Sequence, residues 1–222
     1  MTRASAARAD GPARASAVDL YGRSLEALPR GLTVRASDGR ASALPVQRYL
    51  GPLTAADEDV LARVAGPVLD VGCGPGRHVV ALARRGSLAV GVDVSPVAVR
   101  IARERGATVV QASVFDRIPG AGRWGTALLL DGNIGIGGRP TALLARLQRL
   151  LRPDGLVLVE LDAPGSAGGR TRIRLETDDE VSDWFRWAHV AADAIGVHAA
   201  EAGLRVRESW ESDRRWFACL AR

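Results

Sequence analysis

The sequence predicts an α/β fold built on a mostly parallel sheet, and three observations carry that prediction. From residue 67 onward, short apolar runs alternate with helix-periodic stretches, the rhythm of βαβ units. The run Val68-Leu69-Asp70-Val71 passes into Gly72-Cys73-Gly74-Pro75-Gly76 and then into an apolar helix around Val79-Val80-Ala81-Leu82. A glycine turn at that junction lets a ligand lie against backbone N–H groups. A second apolar run, 88–92, ends in Asp93, seventeen residues after Gly76. Together these make the layout of a nucleoside-binding α/β half-fold.

Each element follows from local pattern. Residues 1–14 read as a disordered tail and 15–65 as an N-terminal cap. Val18, Tyr21, Leu25 and Leu28 give 15–28 a helical period. Asp38-Gly39 between apolar runs signals a hairpin over 32–46. Thr54 opens a second helix, with Asp57 as its capping-box acid and Leu61 and Val64 facing inward. The core, 66–222, carries strands at 67–72, 88–93, 108–113, 126–131 and 155–161. Ser95-Pro96 caps one crossover helix. Pro140 opens another, over 140–151, with a leucine stripe at 143, 144, 147, 150 and 151. The rhythm changes over 163–190, a substrate-side insertion. There 170–176 alternates like a strand, while Trp184, Trp187, Ala188, Ala191 and Ile195 recur at helical spacing. Two strands, 204–210 and 215–221, close the chain with a short connection, so they pair antiparallel.

Composition narrows the function. The 222 residues suffice for one domain with an appendage. No apolar run reaches membrane-spanning length, and residues 1–12 lack the apolar core of a secretory signal. These features lead us to expect a cytoplasmic protein with no membrane partner. The net charge is +5 and all thirty basic residues are arginine. They are scattered in runs of at most two, not concentrated as nucleic-acid binders concentrate them. We therefore expect no nucleic-acid partner. Cys73 and Cys219 fall on well-separated elements and should stay free. His78, His189 and His198 are too dispersed for metal-ligand spacing, so no metal is expected.

The glycine run selects among ligands. A dinucleotide fingerprint needs a third glycine where Arg77 stands, and a Walker A loop needs a lysine this chain lacks. The D-x-G-x-G-x-G run, with Asp93 after it, resembles motif I of the class I S-adenosylmethionine (SAM) dependent methyltransferases. That resemblance covers 67–222 except the insertion. It implies a Rossmann-like, doubly wound, seven-stranded sheet of order 3-2-1-4-5-7-6, its last strand antiparallel. It also implies SAM as cofactor and S-adenosylhomocysteine as product. The reaction is then an in-line methyl displacement, to which alignment contributes on the order of 7–11 kcal/mol.

By the same resemblance, Gly72, Cys73, Gly74 and Gly76 form the cofactor loop. Asp70 holds the cofactor's ammonium and Asp93 accepts from both ribose hydroxyls. Val94, Ser113 and Val114 surround the adenine; Ser113 stands where the family often has an acid, and Asp116 is a substitute. Asp131 and Gly132 meet the methionine end. Tyr21, Tyr49, Asn133, Trp184 and Trp187 are candidates for the acceptor pocket. His189 is the candidate base, because histidine titrates nearest neutrality, with Asp131 a second catalytic candidate. His78 is expected on a solvated helix face. The tip Asp131-Gly132-Asn133-Ile134 is not the Asn/Asp-Pro-Pro-Tyr/Phe motif of amino-group methylation of bases and glutamine. The expected activity is methylation of a small molecule. RNA or protein methylation, or a SAM-binding scaffold or regulator without transfer activity, stand as alternatives. The sequence leaves oligomeric state open.

Overall fold

The structure, a computed structural model, describes residues 12–27 and 31–222. Two sheets build it. The larger has seven strands: β4 (Val68–Val71), β5 (Ala89–Asp93), β6 (Val109–Gln111), β7 (Trp124–Leu129), β8 (Leu151–Leu161), β12 (Arg205–Ser212) and β13 (Arg215–Ala221). Their spatial order is β12-β13-β8-β7-β4-β5-β6. β4, β5, β6, β7 and β8 are mutually parallel, and β13 runs antiparallel to both neighbours. This is the predicted order, 3-2-1-4-5-7-6.

The central strands are buried on both faces, as parallel strands under crossover helices must be; every residue of β4 and β7 is buried. One face is covered by α6 (Pro140–Leu150) and α7 (Ile195–Glu201), the other by α3 (Ala55–Leu61), α4 (Arg77–Arg84) and α5 (Pro96–Glu104). On α6, Leu143, Leu144, Leu147 and Leu150 are all fully buried, each contributing roughly 1.5–3 kcal/mol. The Ser95 hydroxyl caps α5 at Ala98 N–H (3.3 Å). Thr54 and Asp57 make a reciprocal capping box at α3. Asp213 and Arg214, both at positive φ, close the two-residue β12–β13 hairpin.

The smaller sheet joins two distant parts of the chain. β2 (Thr33–Ala36) and β3 (Ala41–Ala43) are the predicted cap hairpin. β9 (Gly169–Glu176), β10 (Glu180–Ser182) and β11 (Phe185–His189) come from the insertion. β2 pairs antiparallel with β9, so cap and insertion form one roof over the carboxyl ends of the large sheet. The tail expected over 1–14 gives way to β1 (Ala13–Ala15), which pairs with β10; residues 1–11 lie outside the described residues. The helix α1 (Ala17–Glu26) buries Leu20 and Leu25 beneath the roof, and Leu28 lies outside the described residues. A short helix, α2 (Val46–Leu50), was not foreseen.

The helical reading of 184–195 is corrected. Residues 185–189 form a strand, paired residue by residue with 173–169 of β9. Helix begins only at Ile195. The aromatic spacing that suggested one turn instead alternates across a sheet.

Candidate active site

A cavity of about 710 Å³ lies between the roof and the carboxyl ends of β4, β5, β7 and β8, within the roughly 300–1,000 Å³ typical of small-molecule sites. Its floor is the loop after β4. Gly72 sits at φ 71°, and a Cβ there would meet Asn133 Nδ2 at 2.6 Å. Asn133 Nδ2 donates to the carbonyls of Val71 (2.9 Å) and Gly72 (3.0 Å), tying the β7 tip to the loop. The Tyr21 hydroxyl hangs over Gly74, 2.8 Å from where a Cβ would be. Cys73 and Cys219 are free and buried. Burial, with Asp70 and Asp93 nearby, pushes the Cys73 thiol well above its ordinary value, so it is not a nucleophile at neutral pH.

Asp93 ends β5 at the cavity wall. Its Oδ2 accepts from Gly74 N–H and its Oδ1 from Ser95 N–H, each at 2.8 Å. Burial raises its carboxyl from the ordinary value, against the pull of those two N–H groups. Val94, Ser113 and Val114 line the same end. The Ser113 hydroxyl accepts from Phe115 N–H (3.2 Å), and Asp116 turns its carboxylate back to Ser113 N–H (3.1 Å). Asp116 thus closes its own turn and does not line the cavity.

At the other end stands a buried charge network that sequence reasoning missed. Asp131, at φ 55°, is held in this sparsely populated conformation by its neighbours. Its N–H donates to Glu160 (2.6 Å). Its carboxylate faces Arg77 (2.8 Å), Arg48 (3.0 Å) and Arg215 (3.4 Å). Arg77 also pairs with Asp57, and Arg215 bridges Asp57 (2.7 Å) and Glu160 (2.6 Å). Burial works against the Asp57 charge, yet His78, Arg215, the Thr54 N–H and Arg77 hold its carboxyl far below the usual range. His78 is also buried, not solvated as expected, with Nε2 3.4 Å from Asp57 and Nδ1 3.6 Å from Asp70. Burial opposes its charge, but the two carboxylates outweigh it and raise His78 to about 9. The sequence marks two members singly, Asp131 as a site candidate and Asp57 as an N-capping acid that proves fully buried, but not their connection.

Arg48 differs from the other arginines. Its Nε and Nη2 are buried and make no hydrogen bond among the described residues, although Nη2 touches Asp131. Tyr49 beside it lines the cavity, and burial with Asp131 nearby drives its phenol far up. Tyr21 is shifted up likewise, by burial and then by Asp93. Neither phenol is a base near neutral pH.

The roof presents Val34, Ile173, Leu175, Phe185 and Trp187 to the cavity. Phe185 and Trp187 meet edge to face at 6.2 Å. In a strand, residues two apart share a face, so Phe185 joins Trp187 inside. Trp184 does not line the cavity; it lies under the Arg174 guanidinium, 4.8 Å from the ring centroid. His189 lines the cavity, its Nδ1 3.3 Å from Asp162 Oδ2. His198 is elsewhere, 2.9 Å from the Thr141 hydroxyl. Gly132 and Asn133 line the cavity, whereas Asp70 and Gly76 do not. Asp70 is buried against His78. Gly76 serves close packing: a Cβ there would meet Ala102 Cβ at 2.9 Å. Among the described residues no cluster could hold a metal ion, and no helix is long and apolar enough to cross a membrane.

Comparison with known proteins agrees with this geometry. A family described as a methyltransferase domain matches residues 68–155. Trans-aconitate 2-methyltransferase of Paracidovorax citrulli is 29% identical over 166 residues, covering 71% of this chain and 62% of its own length. The 2-heptyl-1-hydroxyquinolin-4(1H)-one methyltransferase of Mycobacteroides abscessus is 45% identical over 58 residues, 24% of this chain and 26% of that protein. The chain thus spans less than two thirds of each curated relative. A SAM-dependent methyltransferase from Bacteroides fragilis, solved with S-adenosyl-L-homocysteine, superposes with a TM-score of 0.76 at 25% identity, covering 92% of this chain and 93% of that one. The motif I loop, the strand order and these similarities together support a class I SAM-dependent methyltransferase family for this chain.

Proposed function

We propose that this chain transfers a methyl group from SAM to a small organic acceptor by in-line displacement. The residues present fit that cofactor. A carboxylate offers about four lone-pair sites, and backbone N–H groups take two on Asp93. The two left over suit a ribose diol. Arg48 brings a buried Nε–H with no hydrogen-bond acceptor among the described residues, suited to the methionine carboxylate, while its Nη2 stays paired with Asp131. Val94, Ser113 and Val114 would flank the adenine, and the Gly72–Gly74 backbone would lie along the ligand.

Bound SAM supplies a methyl group already activated on a sulfonium. The protein's share is to bind, align and exclude water. Arg77 and Arg215 hold Asp131 rigidly at the β7 tip. With three arginines on its carboxylate, Asp131 serves this reading as an anchor for the methionine end, and proton acceptance falls to His189. Trp187 and Phe185 cover the acceptor. A small-molecule acceptor is supported by the roof, which closes over the site with apolar side chains, and by the names of the two curated relatives.

The observation that carries the reading is Asp93, fixed by Gly74 and Ser95 and facing the cavity beside the glycine loop. Isothermal titration with S-adenosylhomocysteine tests it. Saturable one-site binding is expected; no heat at millimolar ligand would refute it.

A further inference from the structure

Asp162 and His189 lie 27 positions apart, separated in sequence by the whole insertion. The fold nevertheless brings them together. Asp162 N–H donates to the Val190 carbonyl (2.9 Å), and Ala192 N–H donates to the Asp162 carbonyl (3.0 Å). This double clamp pins the end of β8 to the exit of β11. The two side chains meet there, Nδ1 to Oδ2 at 3.3 Å, and both residues line the cavity. The His189 and Asp162 side chains are 39% and 43% exposed; the roof of the same cavity carries Phe185, Trp187, Ile173 and Leu175, and Glu160 lines it two residues before Asp162.

We infer that Asp162 is the positioning residue for His189 as proton acceptor, and that this pair selects a flat, apolar acceptor carrying an ionisable hydroxyl. The inference rests on the methyl-transfer reading and names the acceptor class for it. A carboxylate that accepts from Nδ1–H selects the tautomer whose Nε2 lone pair is free. Among the described residues, no hydrogen bond occupies Nε2. In the step itself the acceptor O–H bond breaks and an N–H bond forms at His189 Nε2. The oxygen keeps the electron pair, and the imidazolium is stabilised by Asp162. An amine already neutral at working pH needs no such base. A carboxylate acceptor is ionised beforehand and would find an apolar roof.

Other charged groups lie near His189. Arg170 of β9 stands in register with Ala188. Arg139, His198 and Glu201 share with His189 the wall of a second cavity of about 340 Å³. His198 is engaged by Thr141, which also donates to Glu201. Among the described residues, Asp162 is the carboxylate that pairs with the His189 ring.

The test uses 4-nitrophenol, whose ionised form absorbs in the visible, added to the full chain saturated with S-adenosylhomocysteine at slightly acidic pH. The wild-type protein is expected to bind the probe and raise its ionised fraction. His189→Gln should abolish that rise, Asp162→Asn should reduce it about tenfold, and Asp162→Glu should restore part of it. Thermal melts and S-adenosylhomocysteine titration of each variant confirm that fold and cofactor site are intact. If S-adenosylhomocysteine binds but the probe does not, or if the ionised fraction is unchanged in both His189→Gln and Asp162→Asn, the dyad assignment is overturned while the methyl-transfer reading stands. If S-adenosylhomocysteine itself fails to bind, both fall.

Discussion

Replacing Asp93 is the sharpest perturbation the site offers, because its carboxylate has two distinct duties. Oδ2 and Oδ1 each accept one backbone N–H at 2.8 Å, and the residue also lines the cavity, where the proposed function gives its remaining acceptor capacity to the ribose. Hydrogen bonds to a charged acceptor are worth roughly 1.5–3 kcal/mol each. Losing two toward the ribose therefore removes about 3–6 kcal/mol, or roughly 10²- to 10⁴-fold in S-adenosylhomocysteine affinity. Asp93→Ala should fall in that range. Asp93→Asn keeps the shape and one acceptor oxygen, but its amide must face one of the two backbone donors. It should lose about half as much binding energy. Leaving one buried N–H without an acceptor costs about 1–3 kcal/mol, which lowers the ligand-free melting temperature by roughly 2–12 °C for a chain of this size. Calorimetric titration on variants that still melt cooperatively separates the two duties. Wild-type affinity in a folded Asp93→Ala protein would refute the ribose assignment, and an unchanged melting temperature would refute the structural one.

Further outcomes follow from the rest of the site. Arg48→Ala should weaken S-adenosylhomocysteine about 10- to 100-fold, from one lost charge-assisted contact. It should leave 5′-methylthioadenosine, which lacks the carboxylate, unaffected; equal losses in a titration of both would place Arg48 elsewhere. Asp57 and Asp70 hold the folded His78 raised to about 9, from ~6.5 when unfolded. Its charge therefore contributes stability fully present below the lower value and lost as pH rises through the higher one, on the order of 3 kcal/mol in all. Denaturant midpoints should fall over that window in the wild type and stay flat in His78→Gln. Trp187→Ala should weaken 4-nitrophenol binding about tenfold, whereas Trp184→Ala, which removes only a part-exposed cation–π contact worth about 0.5–1 kcal/mol, should not change it in the same titration.

The large sheet was legible because its signals are local. Its parallel strands are apolar runs, and parallel strands under two helical layers show that pattern plainly. The glycine loop and Asp93 were legible because their spacing is fixed by one βαβ unit. The roof was less so. β2 and β9 pair across about 140 residues of sequence, and no local pattern encodes that partner. Trp184 and Trp187, three apart, satisfy a helical period while Phe185 and Trp187 satisfy a strand period. Pairing with β9 decides between them. The charge network was hidden for a related reason. Asp57, Arg77, Glu160 and Arg215 belong to four elements and Asp131 to the turn after β7, and no local pattern shows that they meet. Their meaning is in the juxtaposition, as it is for Asp162 and His189.

The most direct test of the central claim is a crystal structure of the chain with S-adenosylhomocysteine. The account predicts the adenosine against the Gly72–Gly74 backbone, both ribose hydroxyls on the Asp93 carboxylate and the amino-acid carboxylate on Arg48. A nucleoside bound outside this cavity, or an Asp93 carboxylate turned away from the sugar, would contradict it.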